Sequence, residues 1–588
     1  MGKKNVAHVH GLFALPVLLT LVSIACITDN FMFRSNISPT DQPTRAVTLV
    51  GQIGGAVDAI AIQGDYAYLG VGCRLVVLDI STPAEPHWVG QSAPFPGMVR
   101  DLAIQGGYAY VASDGGGLRV VDISYPAKPH EAGVYDTPGW SSDVAVNGSY
   151  AYLVDSFSAL RVVDITNPAR PVEVGVYEAE INSEGIALSG SNAYVADFHA
   201  GLRIFDLRDP AQPRQVGLYK PPGYTSAVAV SGSTAFITES DFRLQAVDVS
   251  DPSAPVLISQ TGEDYHSVES MVISGDYAYQ VDRLDGIYTY LISDPAQLSL
   301  KGRYKLPEDT LSIAVAGDYA YLGGENGNLR VLDLSIPDRP KQVGVYEFPG
   351  QIDQLAASGR YAYLLDKTHI WVVDATDPAN ARIISSFTAP HGIGDVMVWQ
   401  EHAYLDCDGI TVLDISDPSN LVVVSTYDEI YGDGFAAWGT YLYMFQHEEF
   451  GARLFVLDVS DPTNPREVGT IDSPAWWSLT GGEDHLYGVR NNFDLQALDL
   501  SDPLQPKVVE TYKIQGEVDG VVVSGDLAYV IESHGLRVID ISDAGKARDV
   551  GFYNLPSEAY DVAYGGGYIY VSTYHAGVVI LQYKGSLP

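Results

Sequence analysis

Three cysteines in 588 residues leave this chain with little scope for disulfide chemistry. A disulfide-stabilised extracellular protein of this size would carry more, so packing and strand pairing must hold the fold. Basic residues are scarce as well, 34 against 73 acidic ones, and the net charge is −39. That field makes nucleic acid and anionic membrane surfaces poor partners. No helical period runs through the body of the chain. The apolar stretch at 12–25 is shorter than a ~20-residue membrane span, and no other stretch could cross a membrane. The common catalytic signatures are missing too, with no G-x-S-x-G, no H-E-x-x-H and no phosphate-binding loop.

What fills the chain is one motif written thirteen times. It reads roughly V-A-V-x-G-x-Y-A-Y-L, then G-L-R-V-V-D-I-S-D-P-x-x-P, then V-G-x-Y. Its anchor residue falls at Ala67, Ala109, Ala151, Ala193, Ala235, Ala278, Ala320, Ala362, Ala403, Leu442, Leu486, Ala528 and Ile569, with spacings of 39 to 44 residues. A period this regular marks a repeat architecture. Residues 143–177 hold four short runs rich in Val, Tyr, Leu and Ile, separated by Gly, Asn, Ser and Pro. Such runs are strands, and connections this short allow only antiparallel hairpins. Each repeat is therefore a four-stranded meander, here A, B, C and D. A lone meander cannot bury its two apolar faces. Repeats of this length with four strands each stack as propeller blades around a channel.

The fold class is thus all-β: tandem β-propellers of thirteen ~42-residue, four-stranded antiparallel blades. Residues 47–52 look like a lone D strand, and 577–583 like a C strand with no D after it. The first strand is expected to complete the last blade, removing exposed sheet edges. Strand C ends in Asp in eleven repeats but not in the sixth (Leu291) or the last (Gln582). Taking the degenerate blade as the end of a ring puts the seam near residue 295. The domains are then 46–295 and 296–588, six blades followed by seven, with seven plus six, broken near 338, as the alternative.

The runs 75–81 (LVVLDIS), 119–124 (RVVDIS) and 412–418 (VLDISDP) resemble the LVIVD-repeat family of bacterial and archaeal surface proteins. The resemblance covers about residues 46–583 and implies a β-propeller at the cell surface. It carries over no catalytic residues. Lys3 and Lys4 before the apolar stretch, and Ser23-Ile24-Ala25-Cys26 after it, resemble a signal peptide with a lipobox over 1–26. Cys26 would then carry lipid, the only link to a membrane. Residues 27–45 are polar and read as a flexible tether.

The acids are patterned. One set stands eight or nine residues before the anchor, at the start of strand A: Asp58, Asp101, Asp143, Glu184, Glu269, Asp353, Asp395, Asp433, Asp519 and Asp561. Another follows strand B and includes Asp114, Asp155, Asp197, Glu239, Asp282, Asp366 and Glu532. Both ends of the A–B hairpin lie on one face of a ring, at the channel mouth. Three chemistries fit these acids. They can make turns. They can hold Ca²⁺ on clustered carboxylates, with Asp155, Asp197, Asp282 and Asp366 as candidate ligands. They can meet a basic partner.

Aromatics join the acids on that face, among them Trp140, Tyr224, His391, Trp476, Trp477 and Tyr560. Exposed rings beside carboxylates can stack on sugars or anchor a protein. His199, His447, His534 and His575 follow strand B. The reading is a non-catalytic surface scaffold for adhesion or interaction, with a protein or glycan partner. Its binding face comprises Asp101, Asp143, Glu184, Asp353, Asp395, Asp433, Asp519, Asp561, Trp140, Trp476 and Trp477. The alternative is an extracellular propeller hydrolase or lyase acting on a polysaccharide.

Overall fold

The computed structural model of the chain describes residues 47–585, apart from 157–158, 179–182, 240–243, 262–267, 284, 307–308, 325–326, 338, 347–351, 379–380, 390, 408, 428–433, 449–450, 474–475, 482–484, 491–493, 514–517, 533–534 and 543–547. The expected signal segment 1–26 with Cys26, and the tether 27–45, lie outside the described residues.

Every repeat folds as a meander, giving thirteen four-stranded antiparallel sheets. In the third blade, strand A is Trp140–Asn147, B is Tyr150–Ser156, C is Ala159–Asp164 and D is Val172–Glu178. The A–B hairpin turns at Gly148, whose φ of 61° favours a residue without Cβ. Strand B is apolar on both faces because each face meets a different blade. Ala151 and Leu153 pack with Tyr110, Leu118 and Val120 of the blade before. Tyr152 and Val154 pack with Ala193, Val195 and Phe205 of the blade after. The anchor alanine is therefore small for a reason: a tyrosine of the neighbouring blade fills the space beside it. The V-G-x-Y glycine has a similar origin. A Cβ on Gly175 would collide with the Pro210 carbonyl in the C–D loop of the next blade.

The blades close into two rings. In the first, the Ser312 hydroxyl of blade seven donates to the Val57 carbonyl of blade one at 2.8 Å. Val57, Leu69 and Val76 share a core with Tyr321, Leu329 and Val331 across that joint. In the second, the Leu355 amide of blade eight donates to the Asp561 carboxylate of blade thirteen at 2.8 Å. There Leu355 and Leu364 pack with Ala563, Tyr570 and Ile580. As expected, the first strand, Val47–Ile53, pairs antiparallel with the last, Gly577–Tyr583, and completes blade thirteen.

The order is seven blades, then six, the alternative rather than the favoured arrangement. The seam falls between Tyr346 and Gln354, not near residue 295. Blade six, taken as the end of a ring, packs onto blade seven through Tyr279, Val281 and Ile287 against Ile313, Ala320 and Leu332. The strand-C aspartate misled because its work is local. Asp79 accepts the Ser81 amide at 2.8 Å, and Asp164 accepts the Thr166 amide at 2.8 Å. A blade without that aspartate lacks one turn bond and nothing that closes a ring.

Candidate functional site

The strand-A acids separate by one residue of spacing. Asp101, Asp143, Asp395 and Asp561 stand eight before the anchor, whereas Asp58, Glu184, Glu269, Asp353, Asp433 and Asp519 stand nine before it. On a strand one residue moves a side chain to the other face. Each of the four is a clasp between blades. Asp101 accepts the Val144 amide at 3.1 Å, Asp143 that of Ile186 at 2.6 Å, and Asp395 that of Phe435 at 3.1 Å. Asp561 takes the Leu355 amide across the closure of the second ring. A register shift lies beside Asp143 and Asp561, as it does at Asp58, Glu184 and Glu269, where the acid is itself the extra residue. Of the other class, Glu269 and Asp519 are exposed and Asp58 and Asp353 half-buried. The Glu184 side chain and all of Asp433 lie outside the described residues.

The acids after strand B are engaged too, by donors on strand C. Asp155 is fully buried and meets Arg161 at 2.7 Å, while Arg161 also reaches Glu173 at 2.7 Å. Asp197 meets Arg203 at 2.6 Å and accepts the His199 and Ala200 amides. Glu239 takes Gln245, Glu532 takes Arg537, and Asp366 takes the indole N–H of Trp371 with the Thr368 and His369 amides. Asp282 accepts the Asp285 amide at 2.7 Å. The four carboxylates considered for Ca²⁺ belong to four separate blades, each with partners in its own hairpin. Among the described residues no three His, Cys, Asp or Glu side chains are grouped to hold a metal.

The second ring surrounds a cavity of about 270 Å³, walled by the A strands of all six blades. Asp395, Asp519 and Asp561 face it with Met397, Trp399 and Tyr560. Burial pushes the Asp395 carboxyl up to about 8, helped by the charge of Asp561 and opposed by the two amides it accepts. Burial likewise raises Asp561 to about 7. In the first ring, burial and then the charge of Asp101 hold Asp143 well above the usual carboxylate range. The rings thus carry less negative charge near neutrality than their composition suggests.

The aromatics differ in exposure. Trp140, across from Ser156 at the mouth of the first ring, is 63 % exposed. Tyr224, 48 % exposed, lies parallel on Phe198 at 4.5 Å with His199 edge-on at 5.5 Å. Tyr560 meets Tyr574 edge-on at 6.0 Å. Trp476 and Trp477 lie on the A strand of blade eleven, and their side chains are outside the described ones, as are His534 and the His447 side chain. Sequence reasoning missed Phe198, and it missed the partners of the strand-B acids. The latter signal was in the motif itself: the Arg of G-L-R-V-V-D pairs two residues before the acid across the B–C hairpin, on the same face, as Arg161 does with Leu153 beside Asp155.

The LVIVD repeat model matches eleven segments, at 54–92, 96–137, 138–179, 182–220, 222–261, 267–305, 307–347, 349–389, 394–429, 436–473 and 515–554. The unmatched blades, eleven and thirteen, are those whose anchors are Leu486 and Ile569. No curated protein matches the sequence. Among solved structures the chain is similar to PorZ, described as an essential bacterial surface component of the type-IX secretion system of Porphyromonas gingivalis. Identity is 12 % and the TM-score 0.51, over 91 % of this chain and 87 % of that one. It also aligns with the computationally designed Ika8 protein at 10 % identity and a TM-score of 0.41, over 54 % of this chain and 95 % of that one.

Proposed function

We propose that this chain, which belongs to the LVIVD-repeat family, is a non-catalytic scaffold at the cell surface that binds a protein or glycan partner. The observation that carries the reading is a division of labour on one face of the first ring. The carboxylates Asp101, Asp143, Asp155 and Asp197 spend their hydrogen bonds on the fold. The ring of Trp140 is largely exposed, and that of Tyr224, stacked on Phe198, keeps about half of its surface open. Exposed aromatics on a stiff frame lose little entropy on binding and give large contact areas. An extracytoplasmic location, with a lipid on Cys26, fits the family resemblance and the likeness to a surface component.

The test is to replace Trp140 and Tyr224 with Ala, singly and together, and to measure adhesion of the purified protein to glycan arrays and to cells. Stepwise loss with an unchanged melt supports the scaffold, and unchanged adhesion rejects it. Anchoring is tested by Cys26→Ser, which should release the protein from membranes. A second reading, a hydrolase or lyase on a polysaccharide, draws on the raised Asp395 and Asp561 carboxyls beside one cavity. It demands turnover that either single Asn substitution abolishes with the fold intact.

A further inference from the structure

Among the described residues, buried arginines come with acids, with one exception. Arg161, 7 % exposed, is held between Asp155 and Glu173. Arg74 is 2 % exposed, and its Nε, Nη1 and Nη2 have no hydrogen-bond partner among the described residues. Leaving a guanidinium dry and unpaired costs several kcal/mol, so such a group points to something that completes it.

The matching residue is Gly117, Ala159, Gly201, Gly286 and Asn328 in blades two, three, four, six and seven, and an arginine again in blades five (Arg243) and ten (Arg453). Arg453 is not among the buried residues. Arg74 opens strand C of blade one opposite Val71, and alternation puts it on the face of Val71 and Val76. That face packs on Tyr321, Leu329 and Val331 of blade seven, so Arg74 lies at the closing joint of the first ring.

The second ring covers the same corner. The Ala56 amide donates to the His575 carbonyl at 2.9 Å, and the Gly72 amide to the Ala56 carbonyl at 3.0 Å. A Cβ on Gly72 would stand 2.8 Å from the Ala576 carbonyl oxygen. The surroundings carry both signs: Asp58 and Asp114 act on Cys73 beside Arg74, as does Arg100. Arg100 follows Val99, whose amide donates to the Gly72 carbonyl at 2.8 Å. Burial, then the charges of Arg100 and Arg283, hold the His575 imidazole down to about 4. Arg100 and Arg283 have their own acids, Asp114 at 3.2 Å and Asp309 at 2.9 Å. Arg74 has none among the described residues.

We propose that Arg74 anchors an oxyanion site at this joint, taking the carboxylate or phosphate group of a small ligand on its planar donor fork. Two parallel N–H bonds to such a group would satisfy the guanidinium, whose counterpart Arg161 is satisfied by one bond each to Asp155 and Glu173.

The purified full-length protein should be melted in chloride, then with inorganic phosphate or sodium acetate at matched ionic strength. Because phosphate stabilises many proteins without binding, Arg74→Met is the reference, with Arg74→Lys replacing it if the first fails to fold. The expected result is a rise of a few degrees in the wild type that the variant lacks. A response to phosphate alone marks a phosphate ligand, and a response to acetate alone a carboxylate. A ligand retained through purification would hide the rise, so native mass spectrometry accompanies the melt. An added mass carried by the wild type and missing from the variant also supports the site. Equal rises in both proteins, or no rise and no added mass, overturn it.

Discussion

Lowering the pH from 8 to 6.5 should stabilise the second ring. Asp395 and Asp561 rise to about 8 and about 7 on folding, chiefly through burial, from an ordinary carboxylate value of 3.8. The folded state therefore binds protons that the unfolded state does not, and stability grows as pH falls through those folded values. It is lost again as pH climbs above them. At one pK unit per about 1.4 kcal/mol, this window carries about 2 kcal/mol for Asp395 and about 1 kcal/mol for Asp561. Water entering the cavity screens both, so a combined gain of about 1–2 kcal/mol is the working figure. That corresponds to several degrees in the melt of a unit this size. The lower limit of the window matters. The His575 imidazole, held down to about 4 mainly by burial, opposes the trend below its unfolded value of 6.5. The turn carboxylates act lower still. Asp540, held down to about 2 by its bonds to Ser542, loses its contribution only as pH falls below the ordinary carboxylate range. The assay is differential scanning calorimetry of wild type and Asp395→Asn across pH 8 to 6.5. The variant should lose most of the slope. A wild-type melt that is flat or falls with acidification, or a variant with the full slope, refutes the reasoning.

Further outcomes follow from the same contacts. Changing Asp101, Asp143, Asp395 and Asp561 together to Asn keeps an acceptor for each amide, so the fold should survive, and the variant's melt, freed of the buried charges, should gain on the wild type as pH rises from 6.5 to 8. Asp143→Ala instead strands the Ile186 amide and should cost about 1–3 kcal/mol by chemical denaturation. Arg161→Met leaves Asp155 charged and buried and should cost about 3–5 kcal/mol, largely recovered in the double variant Asp155→Leu with Arg161→Met. Millimolar Ca²⁺ followed by EDTA should leave the melting temperature unchanged, because the Asp155, Asp197, Asp282 and Asp366 carboxylates already have donors; a reversible rise of several degrees would contradict this.

The fold was legible because each blade repeats the same physical problem. Tyr-Ala-Tyr-Leu must be apolar on both faces to sit between two blades, and the glycine of V-G-x-Y must clear a neighbouring carbonyl. Thirteen copies made that pattern hard to miss. Ring size was harder, because closure is a contact between distant segments, Val57 with Ser312 and Leu355 with Asp561. A locally missing aspartate at Leu291 carried no information about it. The acids were found, but their division into classes lay in a difference of one residue, eight or nine before the anchor. Read with the two-residue period of a strand, that offset already separates Asp143 and Asp561 from Glu269 and Asp519. Arg74 escaped because a lone basic residue in a motif full of arginines looks ordinary until its burial is known.

The arrangement of the rings places every residue discussed above, from the clasp at Asp561 to the joint at Arg74. A single-particle map that separates strands tests it most directly. The account predicts a seven-bladed ring over residues 57–346, then a six-bladed ring closed by Val47–Ile53 beside Gly577–Tyr583. Six blades followed by seven, one continuous ring, or an open solenoid would contradict it.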